Sequence, residues 1–180
     1  MESDHFFHPR NVGDASEPSF VGRAASLECG AALRISIQID ESHRISQARF
    51  KAAGCTALVS FLSLLTERVT GLLPVDAAVL AQQPDDLCGS EADNFECAKL
   101  ACQALLTAIG HYSDAAREDW IGDEALICTC FCVSENTIER EIQTKGLMTV
   151  SEVTRACNAG GGCGSCHQLI EEMLDAVERV

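Results

Sequence analysis

Branched aliphatic and polar residues alternate over residues 33–39 of the chain. This period of two predicts a strand with one buried face. A polar turn follows, and a second strand is expected over about 43–51, so that the two form a hairpin. A weaker alternation near 21–27 predicts a third strand. The residues in front, 1–22, are polar and rich in turn formers, and we expect them to form a short, loosely held arm.

Helical spacing begins directly after Cys55. Five apolar residues there share one helix face and are followed by the stop signal Gly71: Leu58, Phe61, Leu62, Leu65 and Val69. A short helix is predicted over 74–83, and an apolar helix is expected to open at Cys97 and run to Ile109. Residues 1–111 are therefore predicted to form an α+β domain, a small antiparallel sheet with helices packed on one side.

A second domain is expected after an acidic stretch. Residues 112–125 contain five acidic side chains and one arginine, without a sustained apolar face, which predicts an acidic linker. Beyond it, Ser134 can cap one helix, residues 149–152 form a capping-box signature for another, and apolar residues over 169–177 predict a third. Residues 126–180 are thus expected to be a small all-α domain with a meagre core.

The composition narrows the functional classes. The 180 residues carry a net charge of −14, and such a surface repels nucleic acid and anionic membranes. The N-terminus lacks the pattern of a signal peptide, and no apolar stretch is long enough to span a bilayer. The eleven cysteines are an odd number. We therefore expect a cytoplasmic protein, without nucleic-acid or membrane partners, whose reduced thiols bind metal.

Four cysteines near the C-terminus have the spacing of a metal site. Cys128 and Cys130 are two residues apart, so that in an extended segment their sulfurs point the same way. Cys163 and Cys166 lie in a glycine-rich loop that lets backbone N–H groups approach the sulfurs. Four converging thiolates suit an iron–sulfur cluster or structural zinc, and the one-residue gap favours a [2Fe–2S] cluster. Thiols used only for redox chemistry are a third alternative.

Three further cysteines lie where turns meet predicted elements: Cys29, Cys55 and Cys97. Reactive or ligating thiols are usually exposed at such junctions, and a helix start, as at Cys55, favours a thiolate. Free cysteine is equally often a small buried apolar residue. Spacing alone leaves both interpretations open.

These patterns resemble two known families. The segment Ile127-Cys128-Thr129-Cys130-Phe131, together with residues 159–166, resembles the bacterioferritin-associated-ferredoxin-like [2Fe–2S] domain. The earlier part resembles the U-type iron–sulfur scaffold, through residues 8–13, 29–30, 50–55 followed by 66–67 and 71, and Cys97 with its helix. A scaffold domain followed by a ferredoxin-like domain is the order of the NifU family. No stretch of this sequence resembles that family's further C-terminal domain.

The resemblance implies a function and its ligands. Cys29, Cys55 and Cys97 would hold iron and a transient [2Fe–2S] or [4Fe–4S] cluster, with sulfur from a cysteine desulfurase, for transfer to apo iron–sulfur proteins. Cys128, Cys130, Cys163 and Cys166 would hold a permanent [2Fe–2S] cluster that could supply electrons. The protein would not be an enzyme, and because such scaffolds are often dimers, a homodimer is an open alternative. A ferredoxin-like electron carrier with a degenerate scaffold domain, and a zinc-bound interaction module, are the rival interpretations.

The sequence also departs from the scaffold pattern. Ala31 stands where the family usually has an aspartate that makes the cluster labile, so we expect a longer-lived cluster that Ala31→Asp would release faster. Glu96 replaces the histidine that usually precedes the third cysteine. The remaining cysteines match no ligand position, although Cys132 could substitute for a ligand: Cys88, Cys102, Cys132 and Cys157.

Overall fold

The computed structural model of the protein describes residue 5 and residues 7–84, 95–120 and 124–178. The chain divides into two compact units, residues 1–112 and 113–180. Across the described ranges, no helix is both long enough and apolar enough to cross a membrane.

The first unit is built on a three-stranded antiparallel sheet. Its strands are β1 (Phe20–Ala25), β2 (Ala32–Ile39) and β3 (Ile45–Ala53), in that order across the sheet. Leu33, Ile35 and Ile37 of β2 are buried, as the period of two predicts. The weaker prediction of a strand near 21–27 is confirmed by β1, and the hairpin by the pairing of β2 with β3.

The helices of this unit bury apolar residues in the same core as the sheet. They are α1 (Thr56–Val69), α2 (Pro74–Ala81) and α3 (Phe95–Asp119). The five predicted apolar residues of α1 are all buried in that core. β1 comes so close to α3 that a Cβ added at Gly22 would lie 1.8 Å from the carbonyl oxygen of Ala104. Only glycine fits at this crossing, because the contact is with helix backbone.

The N-terminal arm is attached to the sheet and to α1, contrary to the expectation that it would be loosely held. The backbone N–H of Gly13 donates to the carbonyl of Phe50 at 2.8 Å, which extends the β3 edge. The Arg10 guanidinium contacts both carboxylate oxygens of Glu67 at 2.8 and 3.0 Å. The prediction failed because the partners are distant in sequence, 57 residues apart for Arg10 and Glu67, and local polarity does not reveal such contacts.

The second unit is helical, with one short hairpin. The strands β4 (Leu126–Cys128) and β5 (Val133–Ser134) precede α4 (Glu135–Lys145), α5 (Val150–Cys157) and α6 (His167–Glu178). Ser134 caps α4, and Thr149 with Glu152 forms the predicted capping box of α5. The hairpin was not predicted, because strands of two and three residues are too short to show a period.

The predicted linker is helical over most of its length. Helix α3 continues through residues 112–119, and the division between the two units falls inside it. Arg117 pairs with Asp114 one turn earlier, and Ser113 is buried at 9% exposure. These contacts allow a polar sequence to remain helical. The predicted linker residues 121–123 lie outside the described residues.

Candidate metal centres

Two of the three cysteines that the sequence predicts as ligands in the first domain, Cys29 and Cys55, lie next to strand ends at one end of the sheet. Cys29 is in the turn between β1 and β2, and Cys55 is the N-cap residue of α1, just after β3. The start of β2 faces the end of β3, because Ala32 pairs with Ala53. Cys97 is the third residue of α3.

The structure brings two of these sulfurs together. Sγ of Cys55 lies 3.3 Å from Sγ of Cys97, although 42 residues separate them. Two thiolates on one tetrahedral metal with bonds of about 2.3 Å lie about 3.8 Å apart, so this pair is close to metal-binding separation. Anywhere in the described part of the chain, no three Cys, His, Asp or Glu side chains are grouped closely enough to hold one metal ion. Cys29 is therefore near the pair by strand register but does not complete a three-ligand group.

Cys29 has the environment of a reactive thiol. It is exposed, and its pKa is lowered, chiefly by a hydrogen bond from the Ser26 side chain and then by the backbone N–H of Ala31. The turn is closed by a bond from the backbone N–H of Ser26 to the carbonyl of Ala31 at 2.9 Å, and Gly30 within it has a φ of +68°. A positive φ favours glycine here.

The two departures from the scaffold pattern differ in their surroundings. Ala31 is buried at 2% exposure, and its Cβ would lie 3.2 Å from a Cβ built on Gly54. Glu96 is an exposed side chain that lies 3.9 Å from the Lys99 ammonium. A carboxylate at position 31 would be enclosed, whereas the one at position 96 is solvated.

The four cysteines of the second unit form two pairs. Cys130 donates to Cys163 across 3.5 Å between the sulfurs, and Cys166 donates to Cys128. Each pair joins one residue of the β4 segment to one residue of the glycine loop. The thiols thus approach each other two by two, which suits a pair of metal ions with two protein thiolates each better than a single ion with four.

The paired thiols differ in pKa. Hydrogen bonds from the Ser165 hydroxyl, its backbone N–H and Cys130 lower the pKa of Cys163 to about 7. Burial and the neighbouring Cys128 raise the pKa of Cys166 to about 11. The backbone N–H of Cys163 acts to lower the pKa of Cys130, but burial and the adjacent Cys163 thiolate outweigh it, and the pKa is raised. Cys163 is therefore the first of the three to become a thiolate.

Several contacts that sequence reasoning missed fix the loops that hold these cysteines. Nε2 of His167 lies 2.6 Å from the carbonyl oxygen of Gly160, so this nitrogen must carry the proton and donate. The Ser113 hydroxyl donates to the carbonyl of Cys130. The only sequence signals are that His167 directly follows the last cysteine and that Gly160 lies within the glycine run.

The other cysteines are not part of either arrangement. Cys102 is buried in the core of the first unit, and Cys157 is buried in that of the second, where its thiol donates to the carbonyl of Val153 at 3.3 Å. Cys132 is half-buried, and its pKa is raised, mainly by burial. Cys88 lies outside the described residues.

The fold and the two sets of thiols define an α+β domain of the U-type scaffold class followed by a small helical domain with paired cysteines. Residues 3–119 match the family described as NifU-like N terminal domain, and residues 126–176 match the BFD-like [2Fe-2S] binding domain. The chain belongs to the NifU-like family. This confirms the resemblance drawn from the sequence.

Named relatives agree with this assignment. The chain is 34% identical over 182 residues to the nitrogen fixation protein NifU of Azospirillum brasilense, covering 97% of this chain and 58% of that protein. It is 34% identical over 113 residues to the iron–sulfur cluster assembly scaffold protein IscU of Aquifex aeolicus, covering 61% of this chain and 71% of the relative. The chain spans about three fifths of the length of the NifU proteins it matches.

A solved structure shares the fold of the first part. A crystal structure described as a candidate iron–sulfur cluster assembly scaffold protein for the SUF system of Fervidobacterium islandicum aligns with a TM-score of 0.50. The alignment covers 60% of this chain and 93% of that one, at 16% sequence identity. Identity this low supports the fold alone.

Proposed function

We propose that this protein is an iron–sulfur cluster assembly scaffold. Its first domain builds a transient [2Fe–2S] or [4Fe–4S] cluster on Cys29, Cys55 and Cys97, and passes it to apo iron–sulfur proteins. Iron and sulfur are the substrates, and the sulfur comes from a cysteine desulfurase. The protein acts in the cytoplasm by holding and transferring clusters, and is not an enzyme.

One observation carries the proposal: the 3.3 Å approach of the Cys55 and Cys97 sulfurs at the end of the sheet near Cys29. Two thiols from distant parts of the chain meet here at close to the separation that one metal ion would impose. Both remain accessible, since Cys55 is exposed and Cys97 is half-buried. Accessible thiolates can accept sulfur, bind iron and exchange the product with another protein, which a buried ligand set cannot do readily.

A permanent [2Fe–2S] cluster on Cys128, Cys130, Cys163 and Cys166 is the second part of the proposal. The residues fit this group because their sulfurs are paired two by two, and because glycine at 162 leaves room beside Cys130. When bound, such a cluster takes up and gives away one electron at a time. The half-buried position of Cys130 and the burial of Cys128 and Cys166 shield three of the ligands from solvent, which favours retention over transfer.

Anaerobic reconstitution with iron, sulfide donor and a cysteine desulfurase tests both parts. We expect more than two irons per chain, of which a fraction moves to an added apo-ferredoxin. Cys55→Ser should remove the transferable fraction and leave the retained iron unchanged, while Cys163→Ser should do the reverse. Cys132→Ser is the matched control, because this cysteine belongs to neither set, and it should alter neither fraction.

The rival candidate is a ferredoxin-like electron carrier in which the first domain no longer assembles clusters. Two observations favour it: Ala31 replaces the family aspartate, and Cys29 does not complete a three-ligand group with the Cys55–Cys97 pair. The same experiment separates the two functions. About two irons per chain that never leave would support the carrier and contradict the scaffold.

A further inference from the structure

Helix α6 carries two apolar stripes, and only one of them is fully buried in the core of the second unit. Ile170 and Leu174, one turn apart, are buried in that core. Leu169, Met173 and Val177 follow one another at the same spacing on a neighbouring face. Leu169 is 46% exposed and Val177 is 39% exposed, whereas Met173 between them is half-buried and packs against the core. A helix that needs one stripe to pack in its own domain thus presents a second apolar surface.

The second stripe lines a groove between α4 and α6. The groove has a volume of about 680 Å³. Its apolar side is formed by the second stripe of α6 together with Ala176 and Ile127, and α4 contributes Gln143 on the opposite side. A groove of this size and lining can take apolar side chains from another protein.

The edge of the groove is acidic. Glu135 and Glu139 of α4 and Glu172 of α6 line it, and among the residues that the structure describes no lysine, arginine or histidine does. On α4, Lys145 lies 2.6 Å from Glu141, and Arg140 lies 3.8 Å from the same residue, which is not a lining residue. Helix α6 contains four acidic residues and no lysine or arginine. Over the described part of the chain, the groove therefore combines an apolar floor with an edge of acidic side chains.

The groove begins beside the paired cysteines. Ile127 lines it and directly precedes Cys128, which is buried in the core of the second unit. Helix α6 begins directly after Cys166, and Leu169 lies in its first turn, three residues after that cysteine. A protein bound in the groove would thus lie close to the thiols that we assign to the permanent cluster.

We propose that this groove is the docking site for a partner protein that presents a basic amphipathic helix. Its apolar face would cover Leu169, Met173 and Val177, and its lysine or arginine residues would lie against Glu139 and Glu172. Charge complementarity selects this occupant, because an acidic edge repels a second copy of this strongly acidic chain and attracts a basic surface. The inference concerns the second domain and does not depend on cluster transfer by the first.

A synthetic amphipathic helix of leucine and lysine, about 18 residues long, is the probe. It is titrated into the full-length, cluster-loaded protein, and binding is followed by methyl chemical shifts of the α6 residues and by calorimetry. We expect saturable binding that weakens as salt is raised, and shifts centred on Leu169 and Val177. The matching peptide with glutamate in place of lysine should not bind.

The adjacent residues Glu172 and Glu171 provide a matched pair of charge reversals. Glu172 lines the groove, whereas Glu171 is exposed and does not line it. Glu172→Lys should weaken peptide binding at least about fivefold, while Glu171→Lys, with the same change in net charge, should change it less than about twofold. For the apolar contact, Leu169→Ser should weaken binding, and Met148→Ser, at a position 60% exposed outside the groove, should not.

Four results would overturn the proposal. They are no binding of the lysine peptide, equal effects of the Glu171 and Glu172 reversals, equal binding of the glutamate peptide, and a dimer of the protein alone that Leu169→Ser dissociates. The last would show that a second copy fills the groove. Visible absorption of the bound cluster confirms that each variant is intact, so that loss of fold is not mistaken for loss of docking.

Discussion

Gly162 lies directly against Cys130: a Cβ built on Gly162 would be 2.8 Å from both Cβ and Sγ of that cysteine. Real Cβ atoms do not approach other heavy atoms so closely, so a side chain at 162 must displace the sulfur or the loop. We expect Gly162→Ala to lower the retained iron of the second domain by more than half. Iron analysis and visible absorption after anaerobic reconstitution measure this effect.

Gly110→Ala is the control for this substitution. A Cβ at Gly110 meets nothing within 4 Å, and the residue lies within helix α3, where alanine is favoured over glycine by about 1 kcal/mol. This variant should keep its full iron content. Unchanged cluster content in Gly162→Ala would show that the loop adapts, and would remove the steric reason for glycine beside Cys130.

Gly22→Ala should destabilise the first domain. The added Cβ would lie 1.8 Å from the carbonyl oxygen of Ala104 and 2.6 Å from the backbone nitrogen of Ala108, so β1 and α3 would have to separate. We expect a loss of about 3 kcal/mol in the free energy of unfolding, at the upper end for overpacked sites. Urea denaturation followed by circular dichroism measures it. Gly110→Ala, on the same helix, should be neutral or stabilising, and equal stabilities of the two variants would contradict the close packing.

The pKa values of Cys163 and Cys166 predict a pH-dependent order of reaction in cluster-free protein. The thiolate is the form that reacts with iodoacetamide. With a pKa of about 7, Cys163 should react increasingly as the pH rises through 7 and reach a plateau above it. Cys166, with a pKa of about 11, should remain a slowly reacting thiol until the pH is much higher. Mass spectrometry of the alkylated peptides against pH measures both.

Ser165→Ala tests the cause of that order. The Ser165 hydroxyl lies 3.0 Å from Sγ of Cys163, and its hydrogen bond is the largest influence lowering the pKa of that thiol. Removing the hydroxyl should move the alkylation midpoint of Cys163 to higher pH. The midpoint of Cys166 should not change. If both cysteines instead titrate together near the ordinary thiol value of about 8.5, the loop geometry is not maintained without the cluster.

Much of the fold could be predicted because its elements are locally periodic. Ile35 and Ile37 are buried where the alternation places them, and Ser134 and Thr149 cap the helices that they were expected to cap. The attachment of Arg10 to Glu67 could not be predicted, since it depends on how the chain returns to the same place after 57 residues. The strands β4 and β5 were missed because hydrogen bonds, rather than side-chain pattern, define them.

The sequence was enough to predict which residues form the candidate sites, but not how their side chains are arranged in space. The sequence predicted ligands at Cys55 and Cys97 from their positions and from a family resemblance, whereas the 3.3 Å sulfur separation depends on how α1 and α3 pack. Likewise, the spacing of the four later cysteines does not indicate which sulfurs pair. The bonds of His167 and Ser113 to the ligand loops are long-range or loop contacts with no periodic signal.

Ala31→Asp tests the prediction that a carboxylate at this position would make the proposed cluster on the first domain shorter-lived. Ala31 is 2% exposed and packs against Gly54, next to Cys55. A carboxylate placed there is enclosed and lacks a partner, so we expect a loss of roughly 2 kcal/mol in the free energy of unfolding. We also expect faster transfer of the cluster to an apo-ferredoxin, because a negative charge beside the thiolates weakens their hold on the cluster. Transfer is followed by circular dichroism of the product, well below the unfolding temperature.

Ala31→Asn separates the effect of the negative charge on cluster transfer from the effect of placing a polar side chain in an enclosed position. Asparagine has nearly the same volume as aspartate and also brings a polar group into the enclosed position, so its loss of stability should be similar. Its transfer rate should remain close to that of the unchanged protein, because it adds no negative charge. Equal acceleration by both substitutions would mean that loosening of the contact between Ala31 and Gly54, rather than charge, releases the cluster. Unchanged transfer in Ala31→Asp would contradict the role assigned to this position, since the carboxylate would then be present without making the cluster labile.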